Sequence, residues 1–367
     1  MDERYRAAFL LHALGDTIGY KNGEWEFNKN YHGNFSFTVT RELLYEFIEL
    51  GGINDINLKG WKISDDTILH LVMGEVLTNS KGDSVNDYVQ ELIKELVDEN
   101  TIDALMGRDP GETTMMSIKR LKDGEDYTKH KYDFNEGGSG ASMRNIVIGM
   151  AFYKKENRQK LIEVALETSR VTHNSATGYL GGLTSALFGA YAVEGIPLHK
   201  WPFKLIKLLE SDVTDNYFKK TRGLPEHQRD KEIFIEKWKK YVEDRFDEDG
   251  KFVYNKSFRN VVFRTKYYYD NFAYNEKIVH PGAGGDDSVI IAYDALLDAG
   301  KSWEKLVIYS MIHMGDSDTT GSIAGGLYGL MYGLENVPQN NLKHLEEKDI
   351  ILNVANKVIK AYLPQKP

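Results

Sequence analysis

Apolar residues recur along most of the chain with the spacing of one helix face. In residues 67–77, "TILHLVMGEVL", Ile68, Leu69, Leu71, Val72, Val76 and Leu77 share a broad apolar face. The same period runs near 5–14, 40–50, 87–97, 141–153, 159–170, 177–194, 230–244, 286–299, 302–313 and 346–361. Period-two alternation is nearly absent. The exception is 251–270, rich in aromatic and β-branched residues, which predicts a short hairpin. No repeat of solenoid length occurs. The pattern predicts an all-α fold, a compact multi-helix bundle with at most that hairpin. Residues 211–285 are more polar, yet the helical pattern resumes on both sides without a linker. Residues 1–367 therefore read as a single domain carrying a polar elaboration at 211–285.

Composition narrows the function classes. Of 367 residues, 41% are hydrophobic and 28% charged, an ordinary balance with apolar material for a sizeable core. The net charge of −9 excludes a generic nucleic-acid binder, whose affinity rests on basic residues. The chain has no cysteine. This rules out disulfides, thiolate zinc sites, iron–sulfur clusters and cysteine nucleophiles. The opening "MDERYRAAFLLHALGDTIGY" has no signal-peptide pattern, and no apolar run approaches the ~20 residues of a membrane span. The expectation is a cytoplasmic monomer with no membrane or nucleic-acid partner.

Two helix starts carry the candidate chemistry. At 62–67, "KISDDT", Ser64 is placed to cap a helix that begins with Asp65, Asp66 and Thr67. At 315–319, "GDSDT" repeats the arrangement with Asp316, Asp318 and Thr319. Each alone is explained by capping and by the helix dipole, which favours acidic residues in a first turn. Brought together, Asp65, Asp66, Asp316 and Asp318 repel strongly unless a cation lies between them. Magnesium or calcium, which prefer oxygen ligands, suit such a set, with Ser64, Thr67 and Thr319 as neutral donors. The histidines offer no HxxxH or HxH pair. After the second start, Gly321, Gly325, Gly329 and Gly333 recur every four residues and predict close approach by another helix. "GDSDTTGS" lacks the Gly-Lys-Ser/Thr ending of a P-loop. A better anion site is "GGSGASMR" at 137–144, a glycine-rich turn opening a helix.

Taken together, these motifs resemble the ADP-ribosylglycohydrolase family, most closely its ADP-ribosylarginine hydrolase branch. The resemblance rests on "GDTIGYKNGEWEF" (15–27), "KISDDT" (62–67), "GRDPG" (107–111), "NEGGSGASMRNIVIG" (135–149) and "SRVTHNSATGYLGGLTSALFGAYAV" (169–193). It extends to "IAYDALLDAGKSWEKL" (291–306) and "GDSDTTGSIAGGLYG" (315–329), so it covers nearly the whole chain. It implies an orthogonal helical bundle with two magnesium ions, or manganese in their place. The metal ligands it implies are Ser64, Asp65, Asp66, Asp316, Asp318 and Thr319. It also implies a catalytic or gating glutamate at Glu26, with Glu24 as the alternative position. If not, Glu26 is an exposed loop charge. The diphosphate of ADP-ribose falls to Gly138, Ser139, Gly140 and Ser142. Arg144 is either a phosphate ligand or part of a buried salt bridge. His173 is either near the ligand or a capping and packing residue. Asp287 matches an acidic residue that binds the guanidinium of the arginine side. Tyr267, Tyr268, Tyr269, Phe272 and Tyr274 either stack on adenine or guanidinium or pack in the hairpin. The implied reaction is hydrolysis of the N-glycosidic bond between ADP-ribose and arginine in mono-ADP-ribosylated proteins. Asp65, Asp66 or Glu26 serves as general base. The alternatives are hydrolysis of ADP-ribosylserine or of a free ADP-ribose derivative, or ADP-ribose binding without catalysis.

Overall fold

A computed structural model describes residues 1–28, 35–253, 258, 260–273 and 280–364. Among the described residues there is no β-strand, only the isolated bridges Gly138–Gly284 and Phe246–Phe252.

Two helices from opposite ends of the chain, Asp2–Tyr20 and Ser317–Tyr332, pack closely against each other. Glycine makes this possible. A β-carbon on Gly321 would sit 2.6 Å from the carbonyl oxygen of Gly15. One on Gly325 would overlap the Leu11 carbonyl, and one on Gly329 would strike Ala7 and Ala8. Each interior glycine costs a helix about 1 kcal/mol relative to alanine; the close backbone contact is what that cost permits. Gly333, expected in the same ridge, instead ends the helix with φ +68°.

Helix Ala176–Val193 is buried along nearly its whole length, as its uniformly apolar sequence requires. It packs on Ile146–Ala151 and Arg158–Arg170. The expected helix at 141–153 is two short ones, Gly140–Arg144 and Ile146–Ala151, divided at Asn145. The Asn145 amide turns inward and donates to the Ser169 hydroxyl (2.9 Å). Four further helices, Glu99–Leu105, Glu112–Lys122, Trp201–Leu209 and Val213–Lys220, occupy segments to which no helix was assigned from periodicity.

The hairpin expected at 251–270 is corrected. Val261–Phe272 is an α-helix, capped by the Asn260 side chain, which accepts from the Val262 amide. Its buried positions Val261, Thr265, Tyr268 and Phe272 fall at helical spacing. That spacing overrides the strand preference of the individual residues. Within the polar segment, helices Leu224–Arg245 and Val261–Phe272 are tied to Asp287–Ala299 by buried charge. Arg245 and Arg264 both pair with Asp294 and Asp298. Tyr241 and Tyr268 donate to Asp294 (2.9 Å each). Trp238, Tyr241 and Tyr268 lie in the same apolar cluster as Leu183 and Tyr293. No helix among the described residues is long and apolar enough to cross a membrane.

Candidate active site

The two acidic helix starts are capped as their sequences predict. Ser64 accepts from the Asp66 amide (3.1 Å), and Asp316 accepts from the Thr319 amide (3.3 Å). They also meet. The hydroxyls of Ser322 and Thr319 donate to the two oxygens of Asp66, at 2.8 and 3.4 Å. Capping and convergence are therefore compatible readings of the same residues.

Glu26 joins them. Its short turn, Glu26–Asn28, has left-handed backbone at Phe27 (φ +52°) and Asn28 (φ +43°), unusual for residues with side chains. The Phe27 amide donates to the Gly315 carbonyl (3.0 Å), which fixes the turn beside the second helix start. Glu26, Asp316 and Asp318 each offer an oxygen within 4.8 Å of the others, and all three are buried. Glu24 points away: its side chain is 62% exposed and pairs with Lys21 (2.6 Å).

One acidic residue of this region went unnoticed in the sequence. Asp16, with no exposed surface, accepts from the Ser64 amide (3.0 and 3.1 Å), from the Thr67 amide (3.2 Å) and from the Thr67 hydroxyl. It thus anchors the Ser64–Thr67 helix start to the end of the first helix. Inside the motif "GDTIGY" it looks like any polar residue of an amphipathic helix. The available signal was its place as the one charged residue in the stretch Phe9 to Tyr20.

The electrostatics of the group call for a cation. Burial, and after it the charge of Asp318, push Asp65, Asp66 and Asp316 well above the usual carboxylate range. The same causes raise Asp16 to about 7, and burial raises Asp318. Among the described residues, no lysine or arginine forms an ion pair with Asp65, Asp66, Asp316 or Asp318. Buried oxygen donors of one charge, converging without a cationic partner, fit a hard divalent cation.

Glu26, Asp65, Asp66, Asp316 and Asp318 form the carboxylate wall of a cleft of about 450 Å³. Gly138, Ser139, Gly140 and His173 line the same cleft as a glycine-rich wall, together with Phe27, Asp109 and Thr114. The Ser139 hydroxyl donates to Asp316 (3.4 Å), linking the two walls. The glycine-rich loop pairs with residues 283–285: Ser139 N–H donates to Ala283 O (3.0 Å) and Gly285 N–H to Gly137 O (2.9 Å). The Ser139 amide is therefore already committed inside the protein.

Other residues singled out in the sequence stand behind the walls. Ser64 is fully buried beneath the carboxylates. Ser142, also fully buried, donates to Gly285 O (3.2 Å). Asp287 has no exposed surface and accepts from the amides of Gly282 (3.0 Å) and Gly284 (2.8 Å). Both brace the 282–285 loop and are absent from the cleft lining. Among the described residues Arg144 forms no salt bridge: it donates to Gly140 O, Thr168 O and the Thr172 hydroxyl. Tyr268 and Phe272 are core residues, Tyr267 donates to Asp244, and Tyr269 donates to Met314 O. Tyr274 lies outside the described residues. Among the described residues, Phe27 is the phenyl ring that lines the cleft.

A sequence profile of ADP-ribosylglycohydrolases matches residues 1–367. The chain belongs to the ADP-ribosylglycohydrolase family. A relative named "Putative ADP-ribosyl glycohydrolase L444", from Acanthamoeba polyphaga mimivirus, is 40% identical over 330 residues. That alignment takes in 87% of this chain but only 62% of the viral protein's length. ADP-ribosylhydrolase ARH1 of Dictyostelium discoideum is 33% identical, covering 97% of this chain and 93% of its own. Mouse ADP-ribosylhydrolase ARH3 is 25% identical over 63% of this chain and 60% of its own. Among solved structures, an "ADP-ribosylglycohydrolase-related protein complex" shares the fold over 99% of both chains, with TM-score 0.56 and 18% identity. In this member of the ADP-ribosylglycohydrolase family, then, the cleft joins a carboxylate wall to a glycine-rich wall.

Proposed function

We propose that the protein hydrolyses the N-glycosidic bond between ADP-ribose and arginine side chains of mono-ADP-ribosylated proteins. Water adds across the bond, giving ADP-ribose and unmodified arginine. The observation that carries this reading is the meeting of Glu26, Asp66, Asp316 and Asp318 in one cleft with Gly138, Gly140 and His173. Family membership supports the ADP-ribose half of the substrate. The arginine half rests on the resemblance of the motifs to the arginine-specific branch.

Ser64, Asp65, Asp66, Asp316, Asp318 and Thr319 would hold two magnesium ions. Bound there, divalent cations supply Lewis acidity toward the sugar oxygens and a more acidic water. The chain's own groups do the rest. The Glu26 carboxylate, at the edge of the cluster, takes the proton of the attacking water. Asp65 and Asp66 face the sugar and stabilise positive charge developing at its C1. His173 and the Gly138–Gly140 wall hold the diphosphate. Asp287, committed to two loop amides, braces the cleft from behind; Asp109 and Glu112, two further carboxylates of the cleft lining, would receive the leaving guanidine instead.

The test uses peptides ADP-ribosylated separately on arginine and on serine, with and without magnesium. Magnesium-dependent release from the arginine peptide is expected, and manganese is tested in its place. Release from serine alone overturns the arginine assignment. Tight ADP-ribose binding with no turnover on either peptide overturns the enzymatic reading.

A further inference from the structure

Arg144 is an unusual residue to find where it is. It has no exposed surface, and among the described residues no carboxylate pairs with it. Its guanidinium donates to Gly140 O (2.7 Å), Thr168 O (3.1 Å) and Thr172 Oγ1 (2.8 Å), all neutral acceptors. A buried charge without a counter-charge is costly, and proteins normally pair it. Here the charge lies directly behind the cleft wall, since its first acceptor is the carbonyl of Gly140.

Thr172 connects that charge to the cleft. Its Oγ1 is 2.8 Å from Arg144 Nη2 and 2.8 Å from His173 Nδ1. A guanidinium can only donate, so Oγ1 accepts from Arg144. The single hydroxyl proton then has one acceptor in reach among the described residues, His173 Nδ1. With Nδ1 accepting, the neutral ring carries its proton on Nε2. Burial, and after it the Arg144 charge, lowers His173 to about 3, so the ring is neutral at physiological pH. Nε2 has no hydrogen-bond partner among the described residues, and the ring lines the cleft. The ring sits in space that two glycines leave open. A β-carbon on Gly140 would lie 2.6 Å from Cε1 and 2.9 Å from Nε2, and one on Gly178 would lie 2.8 Å from His173 Cβ.

We propose that Arg144, Thr172 and His173 form an anion-recognition relay, in which Thr172 sets the ring so that His173 presents Nε2–H to the diphosphate of ADP-ribose. The inference rests on the functional reading above. The diphosphate supplies the counter-charge that Arg144 lacks. Arg144 and Thr172 are positioning residues; the group that touches ligand is His173, and it donates a hydrogen bond without serving as a base.

The ring's nitrogen shifts, read by long-range ¹⁵N–¹H correlation on the ligand-free protein and assigned with His173→Gln, report the tautomer directly. Nε2–H is expected. Thr172→Val removes the proton offered to Nδ1 while Arg144 Nη2 keeps Thr168 O. This variant is expected to lose the single tautomer and to bind ADP-ribose on the order of tenfold more weakly, with adenosine binding unchanged. Thr172→Ser is expected to restore both. An Nδ1–H wild type overturns the relay. So does a Thr172→Val variant with wild-type ADP-ribose affinity, or one that weakens adenosine by the same factor. If the wild type binds no ADP-ribose, the functional reading fails while the tautomer measurement still tests the relay on its own.

Discussion

Two buried groups of carboxylates sit in this molecule, and their neighbours differ. At the edge of the polar segment, Asp294 and Asp298 face Arg245 and Arg264. Burial alone would raise Asp294, but the two guanidiniums and the hydroxyls of Tyr268 and Tyr241 outweigh it and hold it below the usual carboxylate range. At the cleft, Asp65, Asp66, Asp316 and Asp318 have no cationic partner among the described residues, and all four are raised. The first group is electrically complete within the chain and ties three helices together. The second is complete only with something added. Carboxylate burial alone therefore does not mark a site; burial without internal compensation does.

Substitutions separate the two groups. Asp318→Asn is expected to reduce magnesium-dependent release of ADP-ribose by about a thousandfold or more, while the fold is kept, because the change removes like-charge repulsion. Asp294→Asn should do the reverse. It leaves two buried guanidiniums short of charge, and denaturant titration should show a loss of about 3–5 kcal/mol. If Asp318→Asn proves as destabilising as Asp294→Asn, the cleft group is structural and the contrast collapses.

Cation binding sharpens the same point. Magnesium at about a hundred times its dissociation constant is expected to stabilise the wild type by about 2.7 kcal/mol in denaturant titration. Asp66→Asn should lose this gain and Asp294→Asn keep it. Acidification sharpens the contrast through separate pH windows. Burial lowers His12 and His313 to about 4 each. Below about 6.5 the unfolded chain protonates these rings and the folded protein does not, so the contribution of the two rings to stability falls between about pH 6.5 and 4, against the opposite contribution of the raised cleft carboxylates. The slope is about 1.4 kcal/mol per pH unit for each ring. The Asp294 contribution has a different window: it is present above about 3.9 and is lost only as pH falls through the depressed folded value. His12→Gln should shallow the upper slope, and Asp294→Asn should leave it unchanged.

The acidic helix starts were legible because Ser64, Asp65, Asp66, Asp316 and Asp318 combine caps with an excess of charge that caps alone do not need. That they meet was not legible, since it depends on packing between residues some 250 positions apart, as at Asp66 and Ser322. Asp287 and Asp16 show the same limit. Both resemble residues that face a ligand or solvent, yet both spend their oxygens on backbone amides. Helix Val261–Phe272 was misread because local strand preference was weighed above the spacing of its buried positions. Arg144 could not be placed from sequence because its acceptors are carbonyls, which every residue has.

The packing of Asp2–Tyr20 against Ser317–Tyr332 has a consequence for biosynthesis. Asp16 and Glu26 emerge from the ribosome early, and Asp316 and Asp318 come some three hundred residues later. The groove that receives the glycine ridge must wait while some three hundred intervening residues are made, its apolar face unmet. Contacts this distant form slowly and leave intermediates open to aggregation. A chain stopped before Asp316 can hold most of the helices but lacks Asp316 and Asp318, so partial products should be inert rather than partly active.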